Sequence, residues 1–247
     1  MKLLIDIGNT RLKCALWNGS RLATLASATH ALSADNMDLD TLWTNAGEVT
    51  EIFVASVAGT ALEQRLVQSL GRRFPLVPRF ATSLASAFGV TNAYAQPERL
   101  GVDRFLGLVA LHADQPGPYV LAGCGTALTL DALAADGTHL GGLISASPAL
   151  MIDALTGGTA RLARPQSARV VELADNTGDA IESGAWLAAA ALVERFVSRA
   201  AGHLGAVPSL VLSGGGAARL GEVVALPHRI DAELALRGLG LYADSVT

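Results

Sequence analysis

Charge is scarce in this sequence. Only 16% of its 247 residues are Asp, Glu, Lys or Arg, where an average soluble domain carries about 25%. A chain so poor in charge is expected to hide more surface than a lone monomer does, which points to an oligomer. The small net charge of −4 gives no electrostatic reason to expect a nucleic-acid partner. Cysteine is scarce too. Cys14 and Cys124 cannot build a disulfide framework, and a reduced, cytoplasmic protein is the expectation. The five histidines (His30, His112, His139, His203 and His228) lack metal-ligand spacing, so no zinc site is expected. The apolar run AWLAAAALV at 185–193, flanked by Glu182 and Glu194, is too short to span a bilayer. Met1-Lys2 leads directly into a strand that turns by Gly8, which does not read as a secretory leader.

What is present comes twice. LLIDIGNTRLKCALW (3–17) and VLAGCGTALTLDAL (120–133) each consist of an apolar strand, a Gly–Thr turn and an alternating strand. One difference separates them: Asp6 stands two residues before Gly8, and Gly123 two residues before Gly125. Beyond the first copy, Ser20 to Thr29 reads as a strand, 35–45 as a helix, 51–57 as a buried strand and the Leu62, Leu66, Leu70 series as a helix. A short strand at 76–78 and a helix over 104–113 follow. The Pro/Gly patch at 113–118 divides the chain into 1–116 and 117–247. After the second hairpin come a strand near 139–145, a helix after Pro148, a long helix over 176–201, a strand–Gly-Gly-Gly–helix unit at 209–220 and a closing helix from Asp231. Two such halves imply a duplicated α/β unit; the alternative is one doubly wound sheet in which the echo is chance. The Ala-rich stretch of the long helix is apolar on more than one face, so it is either central to its domain or shared with a partner helix.

A hairpin tipped by Gly8 and Thr10 suits phosphate. Glycine permits close backbone approach, and the amides of Asn9 and Thr10 can point at an oxyanion. Asp6, ending a buried strand, is placed to hold hydrated Mg²⁺ against the same phosphates, and Lys13 adds a point charge. On its own this pattern is equally an ordinary hairpin turn. In YAQPERLGVDR (94–104), Asp103 falls at a helix start, where free amides stabilise a carboxylate. A helix cap for Asp103, a surface ion pair for Arg104 and simple packing for Tyr94 are the competing readings. Thr177 reads equally as a neighbour of the long helix's N-cap.

Taken together, five motifs resemble the type III pantothenate kinases: DIGNT (6–10), YAQPERLGVDR (94–104), CGTALTLD (124–131), GGLISASPALMIDAL (141–155) and NTGDAIESG (176–184), in family order across most of the chain. The resemblance implies two duplicated ribonuclease H-like domains of the actin, sugar-kinase and Hsp70 class, with a nucleotide cleft between them. It implies ATP-dependent phosphorylation of pantothenate to 4′-phosphopantothenate, the first step of coenzyme A biosynthesis. It assigns ATP to Asp6, Ile7, Gly8, Asn9, Thr10, Arg11, Leu12, Lys13 and Thr126, with Mg²⁺ or another divalent ion held through water at Asp6, and Gly214 to Gly216 flanking the adenine. It makes Asp103 the base, and Tyr94, Gly101, Val102, Arg104 and Thr177 the pantothenate site. A homodimer whose pantothenate pocket the second subunit completes is implied as well.

At one position the chain departs from the family. The family usually has aspartate where Gly123 stands, helping to hold K⁺ or NH₄⁺ near the phosphates. Glycine brings no side-chain oxygen, so weak or altered monovalent-cation dependence is expected. Asp131, farther along, is expected to face solvent or cap a turn. The same loss favours a second reading, a nucleotide-binding regulator with degraded kinase activity, since some family members were first described as accessory factors for virulence-gene regulation. Intact Asp6, Asp103 and Arg104 count against it. A sugar kinase lacks support, because the 94–104 block is not a sugar-kinase motif.

Overall fold

The first strand, β1 (Lys2–Ile7), buries Leu3, Leu4, Ile5 and Ile7, so both of its faces are covered, as a central strand requires. In the computed structural model, which describes residues 1–29, 38–158 and 167–246, β1 runs antiparallel to β2 (Arg11–Trp17) and parallel to β4 (Glu51–Ser56). With β3 (Leu22–Thr29) and β5 (Arg79–Phe80) the sheet order is β3-β2-β1-β4-β5. Helix α1 (Thr60–Arg73) crosses from β4 to β5 and buries Leu62, Leu66 and Leu70 on one stripe. The helix expected over 35–45 is a 3-10 turn at Leu39–Trp43, and residues 35–37 of that expectation lie outside the described residues. The short strand expected at 76–78 forms slightly later, at β5. A small hairpin of β6 (Ser86–Ala87) and β7 (Val90–Thr91) then leads to α2 (Val102–Asp114).

The second unit repeats this plan. Strands β8 (Tyr119–Cys124), β9 (Ala127–Leu133) and β10 (His139–Ala146) form the meander, and helices α3 (Pro148–Gly157) and α4 (Thr177–Leu204) follow. Next come β11 (Ser209–Ser213), α5 (Ala217–Val223) and β12 (His228–Ile230). The order β10-β9-β8-β11-β12, with β11 parallel to β8 and to β12, matches the first sheet strand for strand. The duplicated reading therefore holds over a single continuous sheet. Helix α4 lays Trp186, Ala189, Ala190, Val193, Val197 and Ala200 into this unit's core with Val120, Leu128, Leu130 and Leu212. Its alanine-rich face is core, and Gly205 ends it in the left-handed conformation at φ 67°.

The chain divides into Met1–Gln115 with Glu233–Thr247, and Pro116–Ala232. The closing helix, α6 (Leu234–Ser245), thus belongs with the first unit and not, as the sequence reading had it, with the C-terminal half. The cause is close packing. A Cβ at Gly238 would lie 2.0 Å from the Leu106 carbonyl oxygen of α2, and one at Gly240 would meet the Trp17 ring at 2.7 Å. Polar ties fix the same helix. Arg237 grips Asp114 at 2.7 and 2.9 Å, Trp17 Nε1 donates to Asp244 at 2.8 Å, and Lys2 Nζ donates to the Ala243 carbonyl at 2.7 Å.

Candidate active site

Two elements of the first unit carry the carboxylates. Asp6 lies at the end of β1, half-buried, directly across the hairpin from Lys13. The hairpin is closed by Gly8 N–H donating to the Arg11 carbonyl at 2.9 Å. Asp103 sits in the first turn of α2, whose N-cap is Gly101. A Cβ at residue 101 would come within 2.7 Å of Asp103 Oδ1, so glycine there is what leaves room for the carboxylate.

Asp6 and Asp103 feel one another. Burial first, and the negative charge of Asp103 second, push the Asp6 carboxyl from its ordinary 3.8 up to about 7, while Lys13 pulls it back. Near neutral pH and without a cation, Asp6 therefore keeps its proton a large part of the time. Two carboxylates disposed this way are a donor set that a hydrated divalent cation neutralises. Among the described residues there is no cluster of three or more His, Cys, Asp or Glu that could hold a metal ion.

Beside Asp103, Arg104 turns into the protein and is only 7% exposed. Its Nη1 donates to the Tyr94 hydroxyl at 3.2 Å, and its guanidinium lies 5.9 Å from the Tyr94 ring. Neither a surface ion pair nor plain packing describes that pair. Val102 is buried at the helix start. Ile7 and Leu12 are fully buried in the core, so only their backbones are available to a ligand; Asn9 and Arg11 are exposed at the hairpin tip. Sequence reasoning passed over Asn92. Its side chain ties Tyr94, Pro97 and Leu84 together through their backbone groups, which residue types alone do not reveal.

The remaining expected site residues belong to the second unit. Thr126 is exposed at the tip of the β8–β9 hairpin, which closes with Gly125 N–H donating to the Ala127 carbonyl at 2.9 Å. Gly123 faces Thr129 across that hairpin, the place that Asp6 and Lys13 take in the first unit. A Cβ at 123 would lie 2.7 Å from Thr129 Oγ1, so the hydroxyl fills the room a side chain would need. Asp131 does not face solvent or cap a turn. It is 1% exposed and bonded at 2.9 Å to Nε2 of His139, itself 1% exposed on the neighbouring strand β10, so the two polar groups satisfy each other away from water. Asp131 is thus committed to His139. Gly214 and Gly216 close over Cys124: Gly216 N–H donates to the Cys124 carbonyl at 2.9 Å, and a Cβ at 214 would meet that oxygen at 2.5 Å. Thr177 opens α4 beside its cap Asn176, whose side chain accepts from Asp179 N–H, and Thr177 is exposed.

A family model for type III pantothenate kinases matches residues 2–199. A type III pantothenate kinase of Nitrosococcus oceani is 36% identical over 251 residues, spanning 98% of this chain and 94% of the relative. One of Xanthomonas campestris pv. campestris is 42% identical over 241 residues, spanning 97% and 96%. Among solved structures, a Campylobacter jejuni protein assigned to the Baf family of transcriptional activators aligns at a TM-score of 0.59 with 21% identity, over 99% of this chain and 100% of that one. A Sinorhizobium meliloti protein assigned as a 2-dehydro-3-deoxygalactonokinase aligns at 0.63 with 14% identity, over 100% and 99%. At such identities the structural likenesses establish the fold, the duplicated architecture of sugar kinases.

Proposed function

The chain belongs to the type III pantothenate kinase family and phosphorylates pantothenate with ATP and a divalent metal at the start of coenzyme A biosynthesis; on that premise we propose which residues carry each part of the reaction. Asp6 holds the hydrated cation, Mg²⁺ being the natural choice, and the ion supplies charge neutralisation to the transferring phosphoryl group. The hairpin from Ile7 to Lys13 receives the triphosphate through the amides of Gly8, Asn9 and Thr10, with Arg11 and Lys13 adding charge and Leu12 its backbone. Thr126 touches the nucleotide from the second hairpin. Asp103 accepts the proton of the pantothenate primary hydroxyl, and the oxygen attacks the γ-phosphorus in line as the bond to the β,γ-bridging oxygen breaks and ADP leaves. Arg104 forks onto the pantothenate carboxylate with the Tyr94 hydroxyl bonded to it, while Gly101, Val102 and Thr177 line the rest of that site.

What supports this reading is the placement of Asp6 at the end of β1 and of Asp103 in the first turn of α2 within one unit, where the charge of Asp103, after burial, raises the Asp6 carboxyl. Base and metal-holding carboxylate therefore serve one reaction centre. Substituting Asp103→Asn is expected to abolish turnover in a coupled ADP-release assay while leaving ATP binding intact. A variant that keeps most of its rate removes Asp103 from the base role.

Gly123 supports an active kinase without a monovalent-cation site at that position, since neither glycine nor the Thr129 hydroxyl supplies a carboxylate. A homodimer that completes the pantothenate pocket is supported by the scarcity of charge and by apolar side chains exposed on the second unit, among them Ile144 of β10 and Leu150 and Leu155 of α3. Sedimentation with Leu150→Glu tests it. Two free, buried cysteines support a cytoplasmic enzyme, and among the described residues no helix is long and apolar enough to cross a membrane.

A further inference from the structure

Asn92 closes the loop that delivers Tyr94. Its side-chain nitrogen donates to the Leu84 carbonyl at 3.3 Å and to the Pro97 carbonyl at 3.2 Å. Its side-chain oxygen accepts from Tyr94 N–H at 3.0 Å. Two backbone acceptors and one backbone donor fix the orientation of the amide, because only one assignment of its oxygen and nitrogen satisfies all three. The residue is 9% exposed, and its own N–H donates to the Ala85 carbonyl at 2.9 Å. Nearer α2, buried Ser83 Oγ donates to the Leu100 carbonyl at 2.7 Å and shuts the same loop a second time. Residues 83–100 are thus cinched twice by side chains, and Asn92 is the rung next to Tyr94.

What that rung steadies is the Tyr94–Arg104 pair. The phenol oxygen accepts from Arg104 Nη1 at 3.2 Å, so the direction of the guanidinium fork depends on where the Tyr94 backbone is held. A planar fork recognises a carboxylate only when it is aimed; an ammonium or a tilted guanidinium gives a point contact in place of two parallel bonds. We propose that Asn92 is a positioning residue that sets the preference for an acceptor bearing a carboxylate, by holding Tyr94 where it orients Arg104. This rests on the assignment of Arg104 to the pantothenate carboxylate.

Asn92→Asp keeps the shape but removes both N–H donors, and it sets a carboxylate against the carbonyls of Leu84 and Pro97. The readout is the ratio of kcat/KM for pantothenate to kcat/KM for the analogue whose carboxylate is replaced by a hydroxymethyl group. We expect KM for pantothenate to rise about tenfold, kcat and KM for ATP to stay within about twofold, and the ratio to fall about fivefold or more. A variant that merely folds less well lowers kcat for both acceptors alike and leaves the ratio unchanged; that result overturns the proposal. Asn92→Ser, which keeps one hydroxyl donor in the loop, is expected to fall between, and it decides the matter if the Asp variant precipitates. Arg104→Gln is measured beside them. If it lowers the ratio and neither Asn92 variant does, the positioning role alone falls. If it leaves the ratio intact, the carboxylate assignment falls and takes this inference with it.

Discussion

Replacing Asp6 with Asn should make the metal-free protein more stable at alkaline pH while removing its activity. The folded carboxyl titrates near 7, against 3.8 as its ordinary value. Below pH 3.8 both folded and unfolded chains carry the proton, and the residue is neutral in the balance. As pH rises from 3.8 towards 7 the unfolded chain ionises first, so the native state binds the extra proton and stability declines. Above about pH 7 the full penalty of a buried carboxylate facing Asp103 is in place. A gap of about three pH units at about 1.4 kcal/mol each sets a ceiling of about 4 kcal/mol, and relaxation of the site reduces it to about 2–3. Urea denaturation of both proteins at pH 4, 6 and 8.5, in chelator and without nucleotide, reads this directly. The midpoints should coincide at pH 4 and separate in favour of the Asn variant by pH 8.5. Adding Mg²⁺ and ATP should stabilise only the parent strongly, because the ion uses the charge that burial penalises. Equal midpoints at pH 8.5, or a variant weaker at every pH, would refute the half-buried Asp6 carboxylate raised by its neighbour Asp103.

Three other substitutions probe the remaining geometry. Gly101→Ala places a Cβ 2.7 Å from Asp103 Oδ1; kcat should fall about a hundredfold with little change in melting temperature, because the carboxylate swings away while the helix stands. Gly123→Asp meets Thr129 Oγ1 at 2.7 Å and should cost about 1–3 kcal/mol, a penalty relieved by adding Thr129→Ala. In the parent, replacing K⁺ and NH₄⁺ with a bulky organic cation should leave the rate within about twofold, and a collapse in rate would show a cation site independent of residue 123. Gly238→Ala drives a Cβ onto the Leu106 carbonyl oxygen at 2.0 Å, so α6 must shift; a loss of about 3 kcal/mol or more in urea is expected.

Much of this architecture is legible in the sequence. Alternating hydrophobicity around Gly8 and Gly125 marks both hairpins, and the leucines at 62, 66 and 70 mark α1. What local pattern does not carry is partnership. Asp131 looks like a polar residue on a strand's open face; its register partner on β10 is Gly142, and only the tertiary structure shows the His139 ring, from farther along β10, bonded to it. The effect of Asp103 on Asp6 depends on how α2 packs against β4, the neighbour of β1, a tertiary fact. Helix α6 was placed with the wrong half because periodicity announces a helix without saying which sheet it covers; Gly238 and Gly240, costly inside a helix, were the one hint of a close neighbour. Asn92 was missed because its three bonds all go to backbone, and backbone partners leave no trace in residue identities.

The return of α6 also dictates an order of events during synthesis. Residues 116–232 are contiguous, so that unit has all its parts as soon as it clears the ribosome. The unit translated first must wait, with Leu106 and Trp17 uncovered, until the helix that begins at Leu234 emerges. A released chain truncated after residue 232 should therefore show protease resistance in its later part while its earlier part is still cut.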